Sequence, residues 1–176
     1  SSLSGTLLRT SDAGYEEARR VWNAMVDKRP ALVARCTGTA DVLAAMRFAR
    51  EHDLMISVRG GGHNYAGKSV CDGGLMIDLA GLKTIAIDPA ARIARAGTGL
   101  RLGELDRATA EHGLATTLGV NTDTGIAGLT LGGGYGWLAG RLGLACDNLL
   151  SAEVVTADGQ LVTLSPQENT HLYSGL

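Results

Sequence analysis

A chain of 176 residues with 45% hydrophobic and 19% charged residues can bury a real core, which excludes a disordered polypeptide. A formal charge of −2 without a Lys/Arg cluster, and only one Phe, two Trp and four Tyr, argue against a nucleic-acid or anionic-membrane surface. Glycine is the outlier at 25 residues, about twice the usual ~7%, and it is concentrated between 60 and 67 and between 125 and 136.

The four histidines show no metal-ligand spacing, and Cys36, Cys71 and Cys146 are too far apart for a disulfide framework or a metal knuckle. No apolar run nears the ~18 residues of a membrane span. The first eight residues lack the basic start and apolar core of a signal peptide, so a cytoplasmic location is expected.

In chain order, Asp12 is placed to cap a helix running to about Asp27, with Tyr15, Ala18, Val21, Trp22 and Met25 on one face and Pro30 ending it. Residues 31–36 read as a strand. Residues 39–52 read as an amphipathic helix carrying Val42, Leu43, Met46, Phe48 and Ala49. Residues 54–58 and 75–79 are short apolar strands. A meander follows, with strands at 83–87 and 92–96 around Asp88-Pro89-Ala90, then a helix over 102–111. Strands at 149–157 and 161–164 flank Asp158-Gly159, a hairpin turn of the two-residue type. Interleaved helices with both parallel-type and hairpin-connected strands predict an α+β fold.

Gly97-Thr98-Gly99-Leu100-Arg101-Leu102-Gly103 follows a strand and opens a helix, but its spacing is GxGxxxG. The acidic partner expected about 20 residues on at a strand end is missing, so a helix-opening turn explains it better than a dinucleotide site.

Arg59-Gly60-Gly61-Gly62-His63-Asn64-Tyr65-Ala66-Gly67 closes the 54–58 strand. Consecutive glycines suit a backbone that must come close to a ligand, or whose N–H groups converge on an anion. His63 is then carried to the rim of that loop. Glycine runs also build ordinary turns, and a lone histidine is often a hydrogen-bonded bystander. The second cluster, residues 124–137, carries six glycines with Ile126, Leu129 and Leu131. That composition fits neither a helix interior nor a regular strand. It suits a bare wall against a flat, partly apolar heterocycle.

With both clusters in order, the chain resembles the FAD-binding domain of the vanillyl-alcohol-oxidase superfamily, in particular the berberine-bridge-enzyme-like FAD-linked oxidases. Residues 59–65 resemble the family's pyrophosphate loop with its flavin-linking histidine. Residues 125–137 resemble the stretch along the isoalloxazine, and residues 141–149 the segment after it. The resemblance implies a two-lobed FAD-binding domain over 1–176, split near residue 80, with mixed sheets and flanking helices. It implies FAD bound covalently through His63. Arg59, Gly60, Gly61, Gly62, Asn64, Tyr65 and Gly67 would lie at the diphosphate. Thr124, Gly125, Gly128, Leu129, Gly132, Gly133, Gly134 and Tyr135 would lie along the ring, and Val154 near the adenine.

Hydride from a small organic substrate would pass to flavin N5, with dioxygen as the final acceptor. A dehydrogenase with another acceptor, or a nucleotide-binding module without redox activity, are the alternatives. Nucleic-acid and membrane partners are not expected, and association between copies is left open. The catalytic base and substrate contacts are expected in a second lobe beyond Leu176, so the 176 residues alone are expected to be inactive. Exposed apolar surface around Ile126, Leu129 and Trp137 is expected. Some relatives link the flavin a second time through a cysteine, but Asn121 stands at the matching position and Cys146 reads as a small buried hydrophobe.

Overall fold

The computed structural model describes residues 3–176. A central four-stranded sheet is formed by β1 (Thr6–Arg9), β2 (Leu32–Arg35), β3 (Ile56–Arg59) and β4 (Leu75–Asp78), in the order β1-β2-β4-β3. β4 pairs in parallel with both β2 and β3, while β1 pairs antiparallel with β2. Flanked on both edges and covered on both faces, β4 is buried throughout.

The pleat divides its side chains. Met76 joins Leu8, Tyr15, Ala18, Val33 and Val70 on one side. Leu75 and Ile77 join Ala34, Cys36, Ala45 and Ala49 on the other. That second face is covered by α2 (Thr39–Glu51), whose Asp41, Ala45 and Ala49 recur every four residues. Burial pushes the Cys36 thiol up to about 12, with the Asp41 and Asp78 carboxylates adding to the shift. Cys36 is therefore a core hydrophobe and not a nucleophile.

Two hairpins complete the sheets, one from β5 (Ile85–Asp88) and β6 (Ile93–Ala96), the other from β7 (Ala152–Val155) and β8 (Leu161–Leu164). Between them lie α3 (Leu102–Ala110), α4 (Ile126–Leu131), α5 (Ala139–Leu142) and a 3-10 turn over Cys146–Asn148. A last helical turn covers Thr170–Tyr173. Helices and both kinds of strand pairing confirm the α+β expectation.

Four local expectations are corrected. The helix expected over 12–27 is only one turn, α1 (Tyr15–Ala18), preceded by Gly14 at φ 86. Asp12 caps no helix; its carboxylate instead accepts the Arg9 N–H at 2.7 Å. The remaining residues to 28 form a strap with a turn at Asn23–Val26, hydrogen-bonded to the loop that follows β3. Thr6–Arg9, given no element in the sequence reading, is strand β1. Asp158-Gly159 belongs to a three-residue loop: Gly159 N–H reaches Thr156 O at 2.9 Å and Gly159 has φ 78. Only glycine adopts that last angle cheaply, which is why the dipeptide marked the turn but not its length. Finally, α4 is a helix inside the second glycine cluster, short enough that Gly128 is its one interior glycine.

Asp41 ties the N-terminal segment to α2. Its carboxylate accepts the N–H groups of Ser4 (2.7 Å), Gly5 (3.1 Å) and Thr37 (2.9 Å) and the Thr37 hydroxyl (2.8 Å). The Thr37 N–H bond, joined by those from Ser4 and Gly5, holds its pKa below the ordinary aspartate value despite burial. A depressed carboxylate stabilises the fold above its unfolded-state pKa, and that stabilisation is lost as pH falls through the folded-state value. Asp41→Ala should cost about 1–3 kcal/mol at neutral pH, by leaving buried donors unpaired. Asp41→Asn should flatten the acid limb of stability against pH; urea melts from pH 7 to 3 with an unchanged acid limb would refute the assignment.

Candidate functional site: two glycine loops joined at their backbones

The first loop leaves the end of β3 at Arg59. Its guanidinium is spent within the fold: Nη2 and Nε reach the buried Asp78 carboxylate at 2.6 and 3.1 Å, and Nη1 reaches Arg20 O at 2.8 Å. Arg59 thus anchors the start of the loop through its side chain. Among the described residues, no backbone N–H from Gly60 to Ala66 is paired to another group of the chain. Such a run of free donors in a tight loop is a ready anion cradle. Gly62 has φ 73, and Gly67 has φ 69 with no room for a side chain beneath Val26.

The second loop meets the first directly. A Cβ on Gly61 would lie 2.4 Å from Gly125 N, and a Cβ on Gly125 would lie 2.4 Å from Gly61 N. Only glycine at both positions permits that contact. Arg101 fastens the junction: it bridges to Gly125 in antiparallel fashion, and its Nη1 donates to Gly61 O at 3.1 Å and to Asp123 O. The adjacent Leu102 N–H reaches Thr124 O and Ile126 N–H reaches Leu100 O, both at 2.9 Å.

His63 stands at this junction. Nδ1 lies 3.0 Å from Gly61 O and 3.5 Å from Arg101 Nη1, and the ring stacks on Trp22. Nε2 is buried and has no hydrogen-bond partner among the described residues. An orphaned buried nitrogen is costly, and it is the kind of atom that a bound group would satisfy.

Beyond the junction, α4 leads into 132–136. Gly134 N and O belong to a stretch held by Ala145 N–H on Gly134 O at 2.9 Å and Cys146 N–H on Gly133 O at 3.0 Å. Gly136 and Gly134 are packed too closely for a Cβ, against Leu118 O and Ala145 respectively. Gly128 is different: an added Cβ would meet nothing within 4 Å. The fold itself gives no reason for a glycine there.

Of the expected site residues, the structure brings Gly60, Gly61, Gly62, His63 and Gly125 together. Asn64 caps its own loop, with Oδ1 accepting Lys68 N–H at 2.9 Å. Tyr65 and Tyr135 are exposed, and Thr124 contributes its carbonyl to the Leu102 bond. Leu129 packs inward towards Gly119 and Gly134, so it supports the wall from behind. Gly132 and Gly133 continue the chain from α4. Val154 lies opposite Val162 in the β7–β8 hairpin, half-buried. Trp137 is strongly exposed as expected, but Ile126 and Leu129 are half-buried. Cys146 is half-buried beside Gly133 and not a core hydrophobe.

Sequence reasoning missed two residues at the site. Trp22 was assigned to a helix face, and Arg101 to a helix-opening turn. No local signal marks either role: Trp22 falls on an apparent helix face, and the partners of Arg101, Gly61 and Asp123, are remote in sequence.

The sequence pattern of a family described as FAD binding domain matches residues 30–165. The chain belongs to this FAD-binding family. (R)-6-hydroxynicotine oxidase of Paenarthrobacter nicotinovorans is 39% identical over 172 residues, 98% of this chain and 38% of that protein. The structure of Physcomitrella patens BBE-like 1 superposes with a TM-score of 0.94 at 34% identity, over 98% of this chain and 38% of that one. Glucooligosaccharide oxidase from Acremonium strictum, described as carrying 6-S-cysteinyl, 8α-N1-histidyl FAD, gives 0.92 at 31% identity, over 97% of this chain and 36% of that one. The chain spans about two fifths of the length of these relatives, in the part that binds FAD. FAD fits the residues present: free N–H donors, an unpartnered histidine nitrogen and a glycine facing open space.

Gly128→Ala separates ligand from fold. Without flavin the substitution should raise stability by up to ~1 kcal/mol, since alanine is the better helix former and nothing opposes it. With flavin it should lower retention. Gly61→Ala should lose both, because its Cβ strikes backbone. Urea melts and flavin absorbance of the two full-length variants decide; full flavin retention in Gly128→Ala would show that no ligand approaches that Cα.

Proposed function

We propose that this chain is the cofactor-holding part of an FAD-linked oxidase that carries its flavin on a single covalent bond to His63. The observation that carries this reading is the buried, unpartnered Nε2 of His63 at the rim of a loop whose N–H groups are free. The names of the related enzymes, a hydroxynicotine oxidase and a glucooligosaccharide oxidase, support oxidation of a small organic molecule. When bound, FAD supplies a ring that accepts hydride from a substrate C–H bond and returns the electrons to dioxygen as hydrogen peroxide.

The protein's share is position and electrostatics. Backbone N–H groups from Gly60 to Asn64 bind the diphosphate without a lysine, which suits a loop with no free cation of its own. Arg59 does not contact phosphate through its guanidinium, because Asp78 and Arg20 O occupy it. Gly128, whose missing Cβ faces open space, leaves a flat ring room to lie against backbone. His63 binds through a ring nitrogen, with one edge of the imidazole held by Gly61 O.

Single attachment follows from the residue at the second position. Asn121 is a turn residue, with Oδ1 accepting Asp123 N–H at 3.0 Å, and an amide has no thiolate to offer. Cys146 is the one thiol beside the glycine wall, and it is the competitor to be tested. Denatured and digested full-length protein should yield one flavin-bearing peptide, containing His63. His63→Ala should release all its flavin on denaturation. A flavin found on Cys146, or flavin that stays attached in His63→Ala, would overturn the assignment.

A further inference from the structure

The strap between α1 and β2 crosses the outside of the first glycine loop and engages it along its length. Arg20 O accepts Arg59 Nη1 at 2.8 Å, and Trp22 N–H donates to Gly62 O at 3.0 Å. Asn23 Nδ2 donates to Tyr65 O at 3.0 Å, and Lys28 Nζ to Gly67 O at 3.1 Å. Val21 and Val26 turn inward onto the core, and Trp22 and Met25 turn outward. Trp22 is 58% exposed, so core burial does not explain it. What it touches is the loop: its ring centroid lies 5.7 Å from that of His63 at an interplanar angle of 24°, and 6.2 Å from that of Tyr65. The His63 contact is an offset stack at the usual separation for paired rings.

We propose that Trp22 is the positioning residue for His63, fixing the plane of the imidazole for attachment to the flavin. The proposal rests on the covalent reading above. An imidazole turns broadly about χ2, so a loop that fixes only its backbone leaves the ring nitrogens sweeping an arc. Gly61 O, which accepts from Nδ1 at 3.0 Å, holds one edge, and the indole holds the face. Together they remove the free rotation that would spoil a near-attack geometry. In forming the bond, His63 gives up a ring-nitrogen proton and the 8α-methyl carbon gives up a hydrogen. A nitrogen–carbon bond would replace the two; the two electrons released would pass through the flavin to dioxygen, which would take up two protons in exchange for the two released and leave as hydrogen peroxide.

A residue that merely holds the loop would, when changed, lose bound and attached flavin in parallel. A positioning residue loses attachment while FAD still binds. The test uses the full-length protein, prepared without flavin and then given FAD, with bound flavin read from native absorbance and attached flavin read after acid precipitation. Trp22→Leu should bind FAD but attach it about tenfold or more slowly. Trp22→Phe, which keeps a stacking face, should restore most of the rate. Asn23→Ala, which loosens the strap without touching the ring, should lower bound flavin and leave the attachment rate of the bound fraction near wild type. Trp22→Leu attaching as fast as wild type would overturn the proposal and leave the covalent reading intact. Parallel loss of binding and attachment in both Trp22 variants would also overturn it. Wild-type protein that releases all its flavin on denaturation would instead overturn the covalent reading itself.

Discussion

The site depends on one contact, the backbone of Gly61 against the backbone of Gly125. Neither loop could reach the other with a side chain at either position, since each Cβ would fall 2.4 Å from a backbone nitrogen. The contact joins the end of β3, an edge strand of the four-stranded sheet, to the segment between α3 and α4, which lies outside every sheet. Arg101 is the fastening, because it reaches carbonyls of both loops from a strand-like residue paired to Gly125. Everything chemical lies around that junction: the free N–H groups on one side, the imidazole at the rim, and the bare start of α4 on the other side.

A loop of unpaired N–H groups gains nothing from internal hydrogen bonds, so its shape must be imposed from outside. The sheet imposes it at one end, where the buried Asp78 holds Arg59 at 2.6 Å. Breaking such a pair from one side strands a charge, which makes it a rigid fixture even where its net stabilisation is small. The strap imposes shape along the outside, and Gly125 along the inside. Three independent supports converge on the nine residues 59–67, which is what preorganisation of an anion cradle requires. The binding of a diphosphate would then pair donors that the fold leaves free, so part of the ligand's affinity is stability the apo loop lacks.

Strands β2, β3 and β4, helices α2 and α3, and both glycine clusters were legible because each follows a local rule: an apolar run, a helical period, a cost that only function offsets. The strap was not. Tyr15, Ala18, Val21, Trp22 and Met25 recur at helical spacing, yet Tyr15 is buried at 1% exposure while Met25 is 93% exposed. The period was real for one turn, and tertiary hydrogen bonds to residues 62, 65 and 67 then outweighed it. Arg101 was illegible for the same reason. Its partners, Gly61 and Asp123, are remote in sequence, and nothing local marks an arginine that closes a junction. The glycines announced that something approaches closely; they could not say that part of what approaches is the other glycine loop.

That distinction sorts the glycines by what they answer to. Gly61, Gly125, Gly134 and Gly136 are fixed by the chain itself, because backbone or side-chain atoms of the protein occupy the space of their missing Cβ. Gly128 answers to nothing in the chain. A glycine-rich motif therefore mixes two kinds of constraint, internal packing and external approach, that composition alone cannot separate. The packed glycines bring the two loops into register and would be required of any ligand the junction served. The open one and the orphaned nitrogen of His63 are the two features left over for the proposed flavin. Family membership and physical reading converge there, on residues that no packing argument would otherwise explain.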